Sequence, residues 1–293
     1  MNCGDDALNL DVNGLSFMYG SKDTLSDITF SAQRGDIVGI LGENGCGKTT
    51  LLKCINTLLR PNEGCIMVSD IRDGVLDSDS KSPDENGAAN VSKMRPKELA
   101  RSMAVVSQSS YMSFPYTALD AVMMGRYARS APGNRSKKDD LEAAYRSLKN
   151  TGALEFAERS VMELSGGELR RVMISRALAQ EPEILLLDEP TLHLDISHQF
   201  DLMDLIRKLV KEMNILVILV THDMVFAARY CDKIILMRRG KIVSAGSTEE
   251  VMTEENMREI FHINTEIRYD EKIGGLNIMM LGKHSAEIRG SNS

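Results

Sequence analysis

Residues 42–49 read GENGCGKT, and no other stretch constrains the fold of this chain as strongly. The octapeptide fits the phosphate-loop pattern of Gly, four free positions, Gly, Lys and Ser or Thr. Gly42, Gly45 and Gly47 let the backbone turn tightly and approach an anion, so that successive N–H groups can point at phosphate oxygens. Lys48 reaches the β- and γ-phosphates, and the Thr49 hydroxyl can ligate Mg²⁺. An aliphatic run at Ile37, Val38, Ile40 and Leu41 precedes the loop, and a helical pattern over residues 49–55 follows. Strand, loop, helix sets a helix N-terminus against phosphate, which favours a nucleoside triphosphate site over a glycine-rich turn with a solvated lysine.

Composition narrows the remaining classes. With 293 residues, 43% of them hydrophobic, the chain can bury a substantial core as one large or two modest domains. A net charge of −7 argues against an extended nucleic-acid surface. The longest apolar run, residues 215–220, falls far short of the ~20 needed to cross a bilayer. The N-terminal residues lack both a basic and an apolar signal region, so the expectation is a cytosolic protein. Five scattered cysteines without a CxxC pair disfavour a disulfide framework or a zinc site. Cys46, inside the phosphate loop, reads as a small side chain tolerated at a free position, with an oxidant-sensitive thiol as the alternative.

Along the chain, residues 8–30 alternate as antiparallel strands with a break at Gly20. Tyr19 can stack on a base or serve as an edge-strand tyrosine. Residues 65–68 form a short strand, and residues 70–92 a mobile acidic insertion. A helix and strand from Pro96 end at Gln108. A helix spans 118–127, and residues 136–161 are helical with a break at Gly152, opened by a capping box of Ser136 and Asp139. With the helix that follows LSGGE, this makes a helical subdomain over about 109–180. The aliphatic runs 184–187 and 215–220, with a helix between them, imply a right-handed crossover in a buried parallel sheet. A hairpin turns at Arg239 and Gly240, residues 248–261 are helical, and a tail follows at 271–293.

Ligands of open parallel sheets sit beyond the C-terminal strand ends. Four such ends carry fitting chemistry: Lys48, Gln108, the pair Asp188 and Glu189, and His222. Asp188 is placed to hold Mg²⁺ directly or at one remove, Glu189 to activate water, and His222 to touch a γ-phosphate.

With LSGGE at 164–168, the assembled motifs resemble the nucleotide-binding subunits of ATP-binding cassette (ABC) transporters over about residues 8–261. The resemblance implies an α/β phosphate-loop NTPase core with a mostly parallel sheet, an N-terminal antiparallel β subdomain and an inserted helical subdomain, in one domain over 1–270. It makes Tyr19 the base-stacking aromatic, and Gly42, Asn44, Gly45, Cys46, Gly47, Lys48, Thr49 and Thr50 the Walker A loop. Gln108 becomes the Q-loop residue and a metal contact beside Thr49 and Asp188. Glu189, His222 and Gln108 become the catalytic groups, and Asp195 the D-loop residue. Ser165, Gly166, Gly167 and Glu168 would complete the site of a second copy, so that two ATP molecules are sandwiched in a head-to-tail dimer. The cofactors implied are ATP and Mg²⁺.

The implied partners are transmembrane permease subunits and, indirectly, a substrate-binding protein, with no nucleic acid and a place on the cytoplasmic face of the membrane. The strings VMMGRYAR (122–129), TLHLDISHQFDLMDLIRKL and THDMVFAARYCD look like those of iron–siderophore, haem and cobalamin importers. In that setting Met123, Met124, Arg126 and Arg129 would meet a coupling helix of the permease. The rivals are a soluble cassette ATPase acting on ribosomes or nucleic acid, an importer ATPase for another solute, and an unrelated nucleotide kinase, which would lack LSGGE. Glu168 departs from the family's usual Gln, and residues 70–92 and the tail have no counterpart in the compact pattern.

Overall fold

Leu10, Val12, Leu15 and Phe17 are buried on one face of β1 (Asn9–Tyr19), which pairs antiparallel with β2 (Lys22–Gln33) through Leu10↔Ala32 and Val12↔Phe30. The computed structural model describes residues 9–69, 88–108, 114–129 and 137–284. β3 (Ile37–Gly42), buried at all six positions, leads into α1 (Lys48–Ile55). β4 (Glu63–Ser69) returns along β1, and β5 (Ala89–Asn90) pairs with β4. Then come α2 (Pro96–Ser102), β6 (Met103–Val106), α3 (Ala118–Met123), α4 (Lys137–Asn150) and α5 (Gly166–Leu178). β7 (Ile184–Asp188), α6 (Ile196–Met213), β8 (Leu216–Val220) and α7 (Met224–Tyr230) follow. β9 (Lys233–Arg238), β10 (Lys241–Ser247), α8 (Thr248–Val251), α9 (Glu254–Phe261), β11 (Ile263–Asp270) and β12 (Gly275–Lys283) complete the described elements.

The central sheet runs β10-β9-β3-β8-β7-β6, all parallel except β10 at its edge. Both of its faces are covered, which explains strands that are aliphatic throughout rather than alternating. Ile184, Leu186, Leu216, Ile218 and Val220 face α1 and the antiparallel sheet β2-β1-β4-β5. Leu185, Leu187, Val217 and Leu219 face the other way, among Leu202 and Ile206 of α6 and Phe226 and Tyr230 of α7. Each such aliphatic side chain contributes about 1.5–3 kcal/mol on burial, so the three-layer arrangement is held chiefly by these two cores. α6 ends at Asn214, which takes a left-handed conformation (φ 48°) suited to a helix stop.

Four sequence-based boundaries shift. The polar stretch assigned to 70–92 ends earlier than expected, because Ala89 and Asn90 pair with β4 and Val91 is buried; residues 70–87 lie outside the described part. The helix expected over 118–127 tightens into a 3₁₀ turn from Met124, where Gly125 passes so close to α5 that a Cβ would sit 2.1 Å from the Arg176 carbonyl oxygen. Beyond Gly152 there are only single 3₁₀ turns, Leu154–Phe156 and Val161–Glu163, not a second helix. The reason is long-range bonding: the Ala118 and Leu119 N–H groups donate to the Arg159 and Ala157 carbonyls, which takes those groups out of a helical ladder. The tail starting at 271 cuts through a hairpin, since β12 pairs with β11 around a turn at Asp270–Gly274 and packs against α7. The capping box of Ser136 and Asp139 falls partly outside the described residues.

Arg126 and Arg129, expected to meet a partner helix, are engaged within the chain. Arg126 is 2% exposed; its Nη1 donates to the Ala179 carbonyl at 2.6 Å and its Nε to Asp140 at 3.0 Å. Arg129 donates to the carbonyls of Gln180 and Glu181. They therefore cap the C-terminus of α5, where cations favour the exposed carbonyl ends of the helix. Burial pushes the Glu181 carboxyl up, but the Arg126 and Arg129 charges together outweigh it and hold the group below the usual carboxylate range. Arg126→Ala is expected to lower unfolding stability by about 3 kcal/mol, the cost of leaving the buried Ala179 carbonyl and the part-buried Asp140 carboxylate without their partner. Urea denaturation reads this directly, and a loss under about 0.5 kcal/mol, typical of an exposed site, would contradict the network.

Candidate active site

The phosphate loop leaves the buried end of β3 and is shaped by close backbone packing. A Cβ on Gly42 would lie 2.1 Å from the Met237 carbonyl oxygen of β9, and one on Gly47 would lie 2.8 Å from Leu25 of β2. Gly47 takes a positive φ of 110° immediately before α1, so both positions require glycine for different reasons. Lys48 is 6% exposed, and its ammonium donates to the Gly42 carbonyl at 2.7 Å and the Glu43 carbonyl at 3.0 Å, which holds it across the loop. Asn44 and Gly45 form the exposed tip, and Thr50 is half-buried in the first turn of α1. Cys46 turns its side chain into the core: it is buried, and burial pushes its thiol up. The thiol is thus removed from phosphate, and any contribution of Cys46 to an anion comes from its backbone.

β7 delivers Asp188 and Glu189 beside this loop. The Thr49 hydroxyl donates to Asp188 at 3.2 Å, joining the first turn of α1 to the strand end. Burial raises the Asp188 carboxyl, the Thr49 hydroxyl opposes that rise, and the neighbouring Glu189 charge adds to it. Glu189 adopts a left-handed φ of 46°, with its N–H donated to the Val220 carbonyl of β8. That turn lifts its carboxylate off the sheet edge toward two further strand ends. Gln108, just beyond β6, donates its amide to Glu189 at 3.3 Å, and His222, just beyond β8, stands 3.6 Å from the other carboxylate oxygen. A carboxylate held between an amide and an imidazole is equipped to accept a proton from water. The Thr49 hydroxyl and the Asp188 carboxylate are oxygen donors of the kind that suits Mg²⁺, an ion normally held by one or two carboxylates plus substrate phosphates, whereas the Gln108 amide nitrogen is turned to Glu189.

Tyr19 ends β1 on the hairpin whose Thr24 and Leu25 lie against Gly47. It is 47% exposed and meets Phe17 edge-on at 4.8 Å, so its outer face is open for stacking.

Ser165–Glu168 and Asp195 are placed with each other, and no hydrogen bond among the described residues joins them to the phosphate loop. Ser165 caps α5 in a reciprocal box: its side chain accepts from the Glu168 N–H, and the Glu168 carboxylate accepts from the Ser165 N–H at 2.7 Å. That N–H bond, followed by the Ser165 hydroxyl and Arg159, holds Glu168 below the usual carboxylate range. Gly166 abuts Leu194, and Gly167 abuts the His198 ring. Asp195 caps α6, accepting from the His198 N–H at 3.1 Å with the His198 ring nitrogen 2.6 Å away. Two residues that the motifs did not single out belong here, Arg170 and His198. Arg170 had a legible signal, since it shares the apolar face of α5 with Met173 and Ala177 at positions i, i+3 and i+7.

The sequence pattern of the ABC transporter family matches residues 25–192. The iron(3+)-hydroxamate import ATP-binding protein FhuC of Bacillus subtilis is 33% identical, over 90% of this chain and 91% of the relative. The ferric enterobactin transport ATP-binding protein FepC of Escherichia coli is 34% identical, over 92% and 93%. Among solved structures, a transporter assigned to the metal-chelate type, in an inward-facing conformation, superposes with a TM-score of 0.75 at 26% identity, over 94% of this chain and 98% of that one. A phosphate loop, a paired carboxylate at a parallel strand end and an α/β core with a helical insertion define a phosphate-loop ATPase. The chain belongs to the ABC transporter family, as an ATP-binding and ATP-hydrolysing subunit of the import type.

Proposed function

We propose that this chain hydrolyses MgATP at the interface of two copies of itself to drive import of a metal chelate, most directly a ferric siderophore. The observation that carries the catalytic part is the convergence of Gln108, Glu189 and His222 beside Thr49 and Asp188. Lys48 supplies the countercharge to the β- and γ-phosphates, and Thr49 and Asp188 hold the magnesium ion. The ion, when bound, neutralises charge developing on the phosphate oxygens. Glu189 takes a proton from water as its oxygen bonds to the γ-phosphorus, the bond to the bridging oxygen breaks and ADP leaves. His222 and Gln108 orient Glu189. Ser165, Gly166 and Gly167 of the second copy offer a hydroxyl and helix-start N–H groups to the γ-phosphate. Tyr19 stacks on the base.

Permease docking is assigned to the surface beside α2. A groove of about 560 Å³ there is lined by Leu58, Leu59, Val91, Leu99 and Val105, with Leu58 71% exposed. It adjoins the turn that carries Met124 and the exposed Tyr127, since Arg101 of α2 donates to the Ala128 carbonyl. An apolar groove of this kind suits a short helix. The cargo reading is supported by relatives whose names specify iron(3+)-hydroxamate and ferric enterobactin. Deleting the gene and measuring uptake of labelled ferric hydroxamate, ferric enterobactin, haem and cobalamin tests it. Loss of ferric siderophore uptake is the expected result. Unchanged uptake of all four, with another solute affected, would reject the cargo and leave the ATPase in place.

A further inference from the structure

Arg170 is 9% exposed, on the inward face of the helix that LSGGE opens. Interior guanidinium groups ordinarily need carboxylates or several good acceptors to offset lost hydration. Here the two terminal nitrogens bond to consecutive carbonyls outside the helix, Nη1 to Ser107 at 3.1 Å and Nη2 to Gln108 at 3.2 Å. These are the residues just after β6, and the Gln108 side chain is the one that meets Glu189 at 3.3 Å. A planar fork can chelate two adjacent carbonyls, which a single ammonium cannot do in the same geometry. The same helix face borders a cavity of about 130 Å³ lined by Gln108, Gly166, Leu192 and Leu194.

We propose that Arg170 is a positioning residue for hydrolysis, clamping the Ser107 and Gln108 carbonyls so that the Gln108 amide is set against Glu189. The start of α5, which serves the second copy's nucleotide, is thereby tied to the hydrolytic carboxylate of its own chain. A displacement of α5 moves Gln108 with it. This inference rests on the reading of Glu189 as the group that activates water.

The test compares the full-length parent, Arg170→Met, Arg170→Lys, Gln108→Ala and the double variant Arg170→Met/Gln108→Ala, in steady-state MgATP hydrolysis and in equilibrium binding of a fluorescent ATP analogue. Arg170→Met is expected to lower kcat about tenfold, the scale of one lost bond to a charged group, with KM and analogue affinity near parental. Arg170→Lys recovers only part of that loss. The double variant is no slower than Gln108→Ala alone, because two residues acting through one contact are not additive. Additive losses, a parental rate in Arg170→Met, or a rise in KM alone would overturn the clamp. If Arg170→Met does not fold, Arg170→Lys combined with Gln108→Ala completes the same cycle, and additive losses there overturn the clamp equally. A parent that binds but does not hydrolyse MgATP overturns the active-site reading and the clamp with it, whereas a hydrolysing parent with additive losses overturns the clamp alone.

Discussion

Glu189→Gln is expected to lower ATP turnover at least about 100-fold and to leave nucleotide binding intact. The amide keeps the size and planarity of the carboxylate, so the contacts with Gln108 and His222 have the same reach. What it loses is basicity, since an amide oxygen does not take a proton from attacking water. General-base assistance contributes on the order of 10²–10⁴-fold, and kcat is expected to fall by at least that lower factor. Binding is preserved because the phosphate loop and the Thr49–Asp188 contact lie outside the substitution. With hydrolysis blocked, ATP is also expected to hold two copies together. Size-exclusion chromatography of the variant with and without MgATP should show a nucleotide-dependent shift to dimer. Turnover at the parental rate would remove Glu189 from the mechanism, and a monomer at every concentration would count against the shared site.

The second large effect is the loss of nucleotide affinity in Lys48→Ala. In the structure the ammonium is buried and bonded to two carbonyls of the loop it spans, which places its charge across the curve proposed to receive the phosphates. Bonds to a charged group contribute about 1.5–3 kcal/mol each, so losing the one cation at this position weakens MgATP binding on the order of 100-fold. The fold tolerates the change, because Gly42 and Gly47 are fixed by contacts with Met237 and Leu25 that do not involve Lys48. Fluorescence titration with an ATP analogue measures the affinity, and circular dichroism monitors the fold. Parental affinity in Lys48→Ala would refute the assignment of the phosphate loop.

Most of the architecture was legible from short-range patterns. The aliphatic runs of β3, β7 and β8 announce strands buried on both faces, because only a covered parallel sheet removes the need for a polar face. The loop between β3 and α1 announces its ligand class because glycine at positive φ and a lysine after it have few other uses in that context. Less legible were the segments shaped by distant partners. The stretch after Gly152 has helix-compatible residues, yet its carbonyls are claimed by α3. The hairpin β11–β12 has a mixed pattern, because only some of its residues, such as Ile278 and Thr265, are buried.

The sequence by itself determined the phosphate loop, the strand-end positions of Gln108, Asp188, Glu189 and His222, and the helix that follows LSGGE. Each depends on residues within a few positions of one another, where backbone geometry and capping follow local chemistry. Only the tertiary structure decided how those groups face. It joined Thr49 to Asp188 across 139 residues and Gln108 to Glu189 across 81, turned Cys46 inward, and directed Arg126 and Arg129 onto α5 instead of a partner. It also tied Arg170 to the carbonyls that set Gln108. The physical reason is that a long polar side chain on a helix has many partners within reach. Which of them it takes depends on what the packed layers bring beside it and strip of water.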